Sequence, residues 1–288
     1  MKLGLGTVQF GLDYGISNTA GQTSEAEAKA IVQHFIQAGC HTLDTSLLYG
    51  QSESVLGKIL PHDSRLRICS KISLDENLHG SVNQQVDLSL SNLQRSQIYA
   101  YMAHHSAPLF TQAGYRQFEQ LDKLKQAGVI SKIGVSVYDP LELEQVLAIC
   151  QPDLIQLPLN WLDLRFLQTG WLKRLKQLDI EVHCRSIFLQ GVLLTDPSKL
   201  PAAVAPLQSH LHAYHQHISA LGLTPLAAAL AITQYATDAD IFVLGCCDPA
   251  QAQQLLAAYQ TIEKQTIDLS EFAHPQAQLI DPRTWTRS

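Results

Sequence analysis

Four side chains in the first 104 residues have complementary chemistry: Asp44, Tyr49, Lys71 and His104. Leu43 leads into Asp44, a short polar loop ends in Tyr49-Gly50, and Ser52 with Glu53 behind it reads as a helix start. A phenol, with an ordinary pKa of about 10, is a weak acid at neutral pH; a nearby ammonium favours the phenolate, and a carboxylate can hold that ammonium in place. Asp44, Lys71 and Tyr49 are therefore a candidate unit for delivering a proton, with His104 able to orient a carbonyl oxygen or relay the proton. Each has an ordinary alternative: a loop carboxylate for Asp44, a solvated strand end for Lys71, a buried ring with a wet hydroxyl for Tyr49, a satisfied core imidazole for His104 or His105. The set acquires meaning only if successive elements bring its members together.

The chain supplies such elements in alternation. Short apolar runs at 3–6, 42–45, 66–72, 98–103, 132–137, 154–159, 180–187 and 241–245 read as strands. Helical patterns lie between them: from Ser24 with Ala28, Ile31, Val32, Phe35 and Ile36 as one stripe ending near Gly39, from Ser52, over 82–93, from near Tyr115 to Gly128, after Asp139-Pro140, over 172–178, and after Asp248-Pro249. Beyond the seventh strand a longer insertion predicts two helices, 200–221 and 225–235. Eight units of this kind predict a (β/α)8 TIM barrel, an α/β fold, in a single domain over 1–288 with a helical insertion after strand 7. The 265–288 segment reads as a polar, turn-rich C-terminal tail with Trp285 as an anchor. An open doubly wound sheet is the rival, but Gly4, Gly6 and Gly11 lack the GxGxxG spacing of a dinucleotide turn. In a barrel the site lies at the C-terminal strand ends, which is where Asp44, Lys71 and His104 fall on three successive strands.

At these residues the chain resembles the aldo-keto reductases: Gly4-Leu5-Gly6-Thr7 at the first strand, Leu43-Asp44-Thr45 through Tyr49-Gly50-Gln51-Ser52-Glu53, then Lys71, then Met102-Ala103-His104. The resemblance implies a catalytic tetrad in which Tyr49 is the general acid, Lys71 tunes it, Asp44 holds Lys71 and His104 orients substrate. Gly134-Val135-Ser136 and Gln156 are similar to the family's fifth- and sixth-strand motifs, implying that Ser136 and Gln156 bond a nicotinamide carboxamide. The stretch from Ser186 through Phe188 to Gly191 is similar to the loop over the pyrophosphate, and Gly245-Cys246 to the turn at the adenosine phosphate; Thr7, Arg185 and Gln251 complete the implied cofactor set. Four departures stand out: Val137 where many members have Asn, Arg185 where an aromatic often stacks on nicotinamide, Gln251 where many place an Arg on the 2'-phosphate, and Leu255 where Asn commonly grips adenine. The resemblance implies NADP(H) as the first expectation, and a missing Arg leaves NAD(H) possible. Arg185 can stack its planar guanidinium on the nicotinamide or contact phosphate.

Composition narrows the partners. A chain of 288 residues with 46% hydrophobic and 16% charged residues is ordinary for a globular protein, and a net charge of -6 without a Lys/Arg run argues against nucleic acid. No apolar run approaches membrane-spanning length, the N-terminus lacks a secretion-signal core, and six scattered cysteines form no CxxC pair, so a cytoplasmic location with reduced thiols is expected. His210, His212, His215 and His217 lie on one predicted helix, but Leu207, Leu211, Tyr214 and Ile218 already define its apolar stripe, so no metal site is expected and most of these imidazoles should face solvent. The expected activity is reduction of an aldehyde or ketone by a monomer or small homo-oligomer; Tyr14-Gly15-Ile16 resembles a family branch suggesting a sugar-like or aryl carbonyl. The alternatives are a cofactor-binding redox sensor with little turnover and a metal-dependent barrel hydrolase.

Overall fold

The computed structural model describes residues 1–16, 18, 20–262 and 267–285. Eight parallel strands close into a barrel in sequence order: β1 (Leu3–Gly6), β2 (Thr42–Asp44), β3 (Arg67–Ile72), β4 (Ile98–Ala103), β5 (Ile130–Ser136), β6 (Leu154–Pro158), β7 (Glu181–Arg185) and β8 (Ile241–Leu244), with β8 pairing back to β1. Helices between the strands cover the outside, making the (β/α)8 architecture that the alternation predicted.

Strand side chains alternate between two environments. Leu43, Ile68, Tyr101, Val135, Ile155, Val182 and Phe242 belong to the large core between strands and helices, whereas Cys69, Ala100, Met102 and Leu154 form a separate apolar cluster. The second set marks the lumen. Gly134 makes room for it: a Cβ there would lie 2.5 Å from Met102 Cγ and 2.9 Å from the Leu154 carbonyl oxygen. Moving two residues along each lumen-facing row reaches Asp44, Lys71, His104, Ser136, Gln156 and Arg185 in turn, so one parity rule aims all six into the same end of the barrel.

Helix starts follow local chemistry. Ser24 and Glu27 make a reciprocal capping box on Glu25–Gln37, Ser81 and Gln84 do the same on Val82–Leu93, and Asp139 caps Pro140–Ile149. Strand ends shift by one or two residues, β5 to Ile130–Ser136 and β7 to Glu181–Arg185, and three helices differ more from the sequence reading. The helix expected over 200–221 begins as a 3-10 segment, Ala202–Leu207, and becomes α-helical only at Gln208–Ala220, because Pro206 cannot donate to an α-helical ladder. The helix expected over 225–235 breaks at Ala231 into Pro225–Leu230 and Ile232–Tyr235. The helix expected from near Tyr115 starts at Gln112, capped by Thr111. Of the 265–288 tail, residues 265, 266 and 286–288 lie outside the described residues. The remainder forms short turns that bury Phe272 and Ile280, and the Trp285 indole donates to the Leu279 carbonyl at 3.2 Å.

The N-terminal end of the lumen is closed by charge. Glu181 accepts from Tyr99 Oη at 2.5 Å, Lys132 Nζ at 2.6 Å and His183 Nε2 at 2.7 Å. Burial alone would raise the Glu181 carboxyl, but the contacts with His183, Lys132 and Tyr99 overcome it and hold the group at about 2. A carboxyl depressed in the folded state stabilises the protein above its unfolded value, near 4.5, and that contribution is lost as pH falls toward 2. Glu181→Gln is therefore expected to cost on the order of 3 kcal/mol in urea unfolding at pH 7, with the gap to the parent chain shrinking by more than half at pH 3. A gap of the same size at both pH values would show that the charge is not its source.

Candidate active site

Asp44, at the end of β2, and Lys71, near the end of β3, form an ion pair in the lumen, Nζ to Oδ1 at 2.5 Å, with side chains 7% and 1% exposed. The ammonium has three donors and each has a partner: Asp44, the Thr45 carbonyl at 2.9 Å, and the Tyr49 hydroxyl at 3.4 Å. The other Asp44 oxygen accepts from Gln156 Nε2 at 2.7 Å. Tyr49 reaches this pair because its loop is pinned from both sides. Thr45 N donates to the Cys69 carbonyl and Leu47 N to that of Lys71. Gly11 lies against the far side of the loop, where a Cβ would stand 1.7 Å from the Tyr49 carbonyl oxygen and 2.5 Å from Ser52 N.

His104 follows β4, its ring edge-on to Tyr49 with centroids 5.5 Å apart. Its Nδ1 lies 3.1 Å from Ser46 Oγ. Burial, aided by Lys71, His105 and Arg185, holds the imidazole down at about 2, so it is neutral at ordinary pH. Burial, reinforced by the Asp44 carboxylate, pushes the Tyr49 phenol well above its ordinary range against the opposing charge of Arg185. This differs from the downward shift expected of a neighbouring ammonium. The Lys71 charge is already matched by Asp44, so desolvation decides the sign and the phenol keeps its proton.

These side chains open onto a cleft of about 630 Å³ at the C-terminal end of the barrel. Its lining includes every residue that the sequence resemblance assigned to the tetrad or the cofactor: Asp44, Tyr49, Lys71 and His104 with Thr7, Ser136, Gln156, Arg185, Ser186, Phe188, Gly191, Gly245, Cys246 and Gln251. A model of the aldo/keto reductase family matches residues 2–273. The chain belongs to the aldo/keto reductase family. It is 27% identical over 144 residues to aflatoxin B1 aldehyde reductase member 2 of Rattus norvegicus, a segment making up 46% of this chain and 38% of that protein. It is also 27% identical over 134 residues to an aldo-keto reductase of Mycolicibacterium vanbaalenii, covering 45% of this chain and 47% of that one. These matched segments thus span less than half the length of either relative. In fold it is similar to aldo-keto reductase AKR11C1 of Bacillus halodurans, at 20% identity, TM-score 0.72, and coverage of 99% of this chain and 92% of that one. It is likewise similar to glycerol dehydrogenase AKR11B4 of Gluconobacter oxydans, at 17% identity, TM-score 0.69, and coverage of 96% and 93%.

In this aldo/keto reductase the cleft carries orphaned polar atoms. Gln156 Oε1 and Gln9 Oε1 are buried without a hydrogen-bond partner among the described residues. An acceptor in that state at the barrel mouth suits an incoming amide donor, so the residues present fit a nicotinamide carboxamide at Ser136 and Gln156. The loop after β7 is conformationally unusual: Ser186, Leu189 and Gln190 all have positive φ, at 62°, 49° and 53°. Across the cleft, Gln190 Oε1 accepts from Ile16 N at 3.2 Å.

Some expected residues are engaged otherwise. Thr7 is fully buried, and its hydroxyl donates to the Asp44 carbonyl at 2.9 Å while Ser52 Oγ donates to the Thr7 carbonyl at 2.8 Å. It stitches β1 to β2. Val137 and Leu255 are buried and do not line the cleft. Gln251 Oε1 accepts from Cys247 N at 2.9 Å. Contrary to the solvated face expected for the histidines, His210 bonds the Phe272 carbonyl at 2.8 Å, His215 the Leu193 carbonyl at 3.2 Å, and His217 lies 3.5 Å from Glu271. Among the described residues no group of three His, Cys, Asp or Glu is placed to hold a metal, and no single helix is long and apolar enough to cross a membrane.

Ser46, Tyr138, Gln9 and Gln190 were not singled out from the sequence. Tyr138 sits two residues beyond Ser136, so the lumen parity that selects Ser136 continues into it. Nothing local marks the other three. Replacing Gly11 with Ala places a methyl against the backbone that carries Tyr49; it is expected to cost about 3 kcal/mol or more in urea unfolding and to alter the near-UV signal of the displaced aromatics. Unchanged stability would show that the two loops do not approach as closely as described.

Proposed function

We infer that the protein is a nicotinamide-dependent carbonyl reductase, with Tyr49 as proton donor. The observation that carries this reading is the Tyr49 hydroxyl at 3.4 Å from an ammonium whose remaining donors are bound by Asp44 and Thr45. The phenol oxygen accepts from Lys71, which leaves its own proton free to be given to an oxygen in the cleft. A phenol kept protonated by burial is in the form that carbonyl reduction requires. As that proton departs, the developing phenolate stands beside the Lys71 ammonium, and the Asp44 pair stabilises the charge where it forms.

His104 supports the same oxygen. The Ser46 hydroxyl has one proton and two acceptors at 3.1 Å, His104 Nδ1 and the Lys71 carbonyl oxygen; with the hydroxyl donating to Nδ1, the neutral ring carries its proton on Nε2 and presents it to the carbonyl. The cofactor, when bound, supplies the hydride. Ser136 and Gln156 would hold its carboxamide, while Ser186, Phe188, Gly191, Gly245, Cys246 and Gln251 surround the rest of the cleft that its phosphates and adenosine require. The cations among the described lining residues are Lys71 and Arg185, on β3 and β7, with none on the turn after β8. A 2'-phosphate at that turn would therefore lack the Arg partner that enforces strict NADP(H) use. We place NADP(H) first, with NAD(H) also accepted, an aldehyde or ketone of sugar-like or aryl type as substrate, and a reduced-thiol compartment that suits the six free cysteines.

Tyr49→Phe is expected to lower kcat for aldehyde reduction by roughly 10³-fold while the dissociation constant of NADPH, read by fluorescence, stays within about threefold. Steady turnover in that variant would exclude Tyr49 as the donor. For the unaltered protein, kcat/KM with NADPH should exceed that with NADH by no more than about tenfold; a preference of several hundredfold would show that another group recognises the 2'-phosphate.

A further inference from the structure

Three arginines surround Tyr138, which follows β5 at the edge of the cleft. Arg165 donates to its carbonyl at 3.1 Å, Arg283 lies with Cζ 3.7 Å from its ring centroid, and Arg185 with Cζ 4.1 Å. Two of them are neutralised in two-pronged ion pairs: Arg165 with Asp163, Nε and Nη2 each at 2.8 Å, and Arg283 with Asp281, Nη2 at 2.6 Å. Arg185 has no carboxylate partner among the described residues. Its Nη2 donates to the Val137 carbonyl at 3.1 Å and its Nη1 to Ser186 Oγ at 3.3 Å, which leaves three of five N–H donors without a partner there. Of the three arginines, Arg185 alone lines the cleft.

A chain of ring contacts places it on the side where a carbonyl would sit. Tyr49 meets His104 at 5.5 Å, His104 stacks on His105 at 4.8 Å, His105 faces Tyr138 at 6.2 Å, and Tyr138 supports the Arg185 guanidinium. Asp44 is the single carboxylate lining the cleft among the described residues, and Lys71 matches it. The net charge of the mouth is therefore carried by one fixed, half-buried guanidinium with donors to spare. Planar forks of this kind grip carboxylate or phosphate oxygens two at a time.

We propose that Arg185, braced by Tyr138, is the subsite for an oxyanion carried by the substrate, so that the enzyme selects carbonyl compounds bearing a carboxylate or phosphate. The proposal rests on the reductase reading and narrows its substrate class. It also removes Arg185 from the cofactor, where the sequence resemblance had put it.

The test pairs 4-carboxybenzaldehyde with benzaldehyde and glyceraldehyde 3-phosphate with glyceraldehyde, using the unaltered protein, Arg185→Gln and Arg185→Lys with saturating NADPH. Calorimetric titration of benzoate and of inorganic phosphate into the NADP⁺-saturated protein supplies a readout independent of turnover. At least one charged aldehyde should exceed its neutral partner in kcat/KM by about tenfold or more, the two pairs separating carboxylate from phosphate selection. In Arg185→Gln that advantage should disappear, chiefly through a raised KM for the charged aldehyde, anion binding should vanish from the calorimeter, and Arg185→Lys should recover part of both. The proposal is overturned if charged and neutral aldehydes lose activity in parallel, if the charged advantage survives Arg185→Gln, or if the variant instead weakens NADPH binding by tenfold or more. All four aldehydes left unreduced by the unaltered protein would count against the reductase reading, and anion binding by calorimetry would then decide the subsite by itself.

Discussion

A buried ammonium held by a buried carboxylate is the constraint around which this barrel is arranged. Removing Lys71 and Asp44 from water is unfavourable by several kcal/mol per ion, and their attraction offsets that cost only where every remaining donor and acceptor is matched. Here the matching comes from three strands and a loop: Thr45 and Tyr49 take the other ammonium donors, and Gln156 reaches across from β6 to the second carboxylate oxygen. A closed barrel is what permits this, since β2, β3 and β6 are brought around one lumen only by closure. The network stabilises a particular arrangement of charge more than it stabilises the fold.

The lumen is layered in consequence. At its N-terminal end, Glu181 gathers Tyr99, Lys132 and His183. Above this lies the apolar layer of Cys69, Ala100, Met102 and Leu154, and above that the Asp44–Lys71 pair and the cleft. The apolar layer keeps water from one charged layer out of the other, so each acts in a medium of low polarizability where fixed charges have long reach. That reach explains why Arg185 influences Tyr49, His104 and His105 alike. Because Lys71 and Asp44 cancel, the field in the cleft takes its sign from the arginine.

Segment boundaries and protonation diverged from the sequence reading for related reasons. Each of the two helices read in the insertion after β7 looked unbroken because its apolar spacing is continuous, yet Pro206 and the break at Ala231 divide them into shorter pieces. Tyr49 carries no sequence mark of its burial. An ammonium nearby argues for a lower phenol pKa, and only the depth at which the pair sits, with Asp44 matching the ammonium, shows that desolvation prevails.

The sequence by itself determined the eight alternating strands and helices, the capping residues that start those helices, and the strand-end positions of Asp44, Lys71 and His104, because these are local properties with a period of two or 3.6 residues. It also marked Ser136 and Gln156 through the motifs they sit in. Tertiary structure alone decided that Ser46 lies against the His104 ring, that Thr7 and Ser52 join β1 to β2, that Gln190 meets Ile16 across the cleft, and that Arg185 is the arginine left without a carboxylate. Those contacts link residues separated by 45 to 174 positions, with the Arg185 environment assembled from β5, β7 and the C-terminal turns. No local pattern encodes such pairings: they exist only once closure of the barrel has fixed which strand ends face one another.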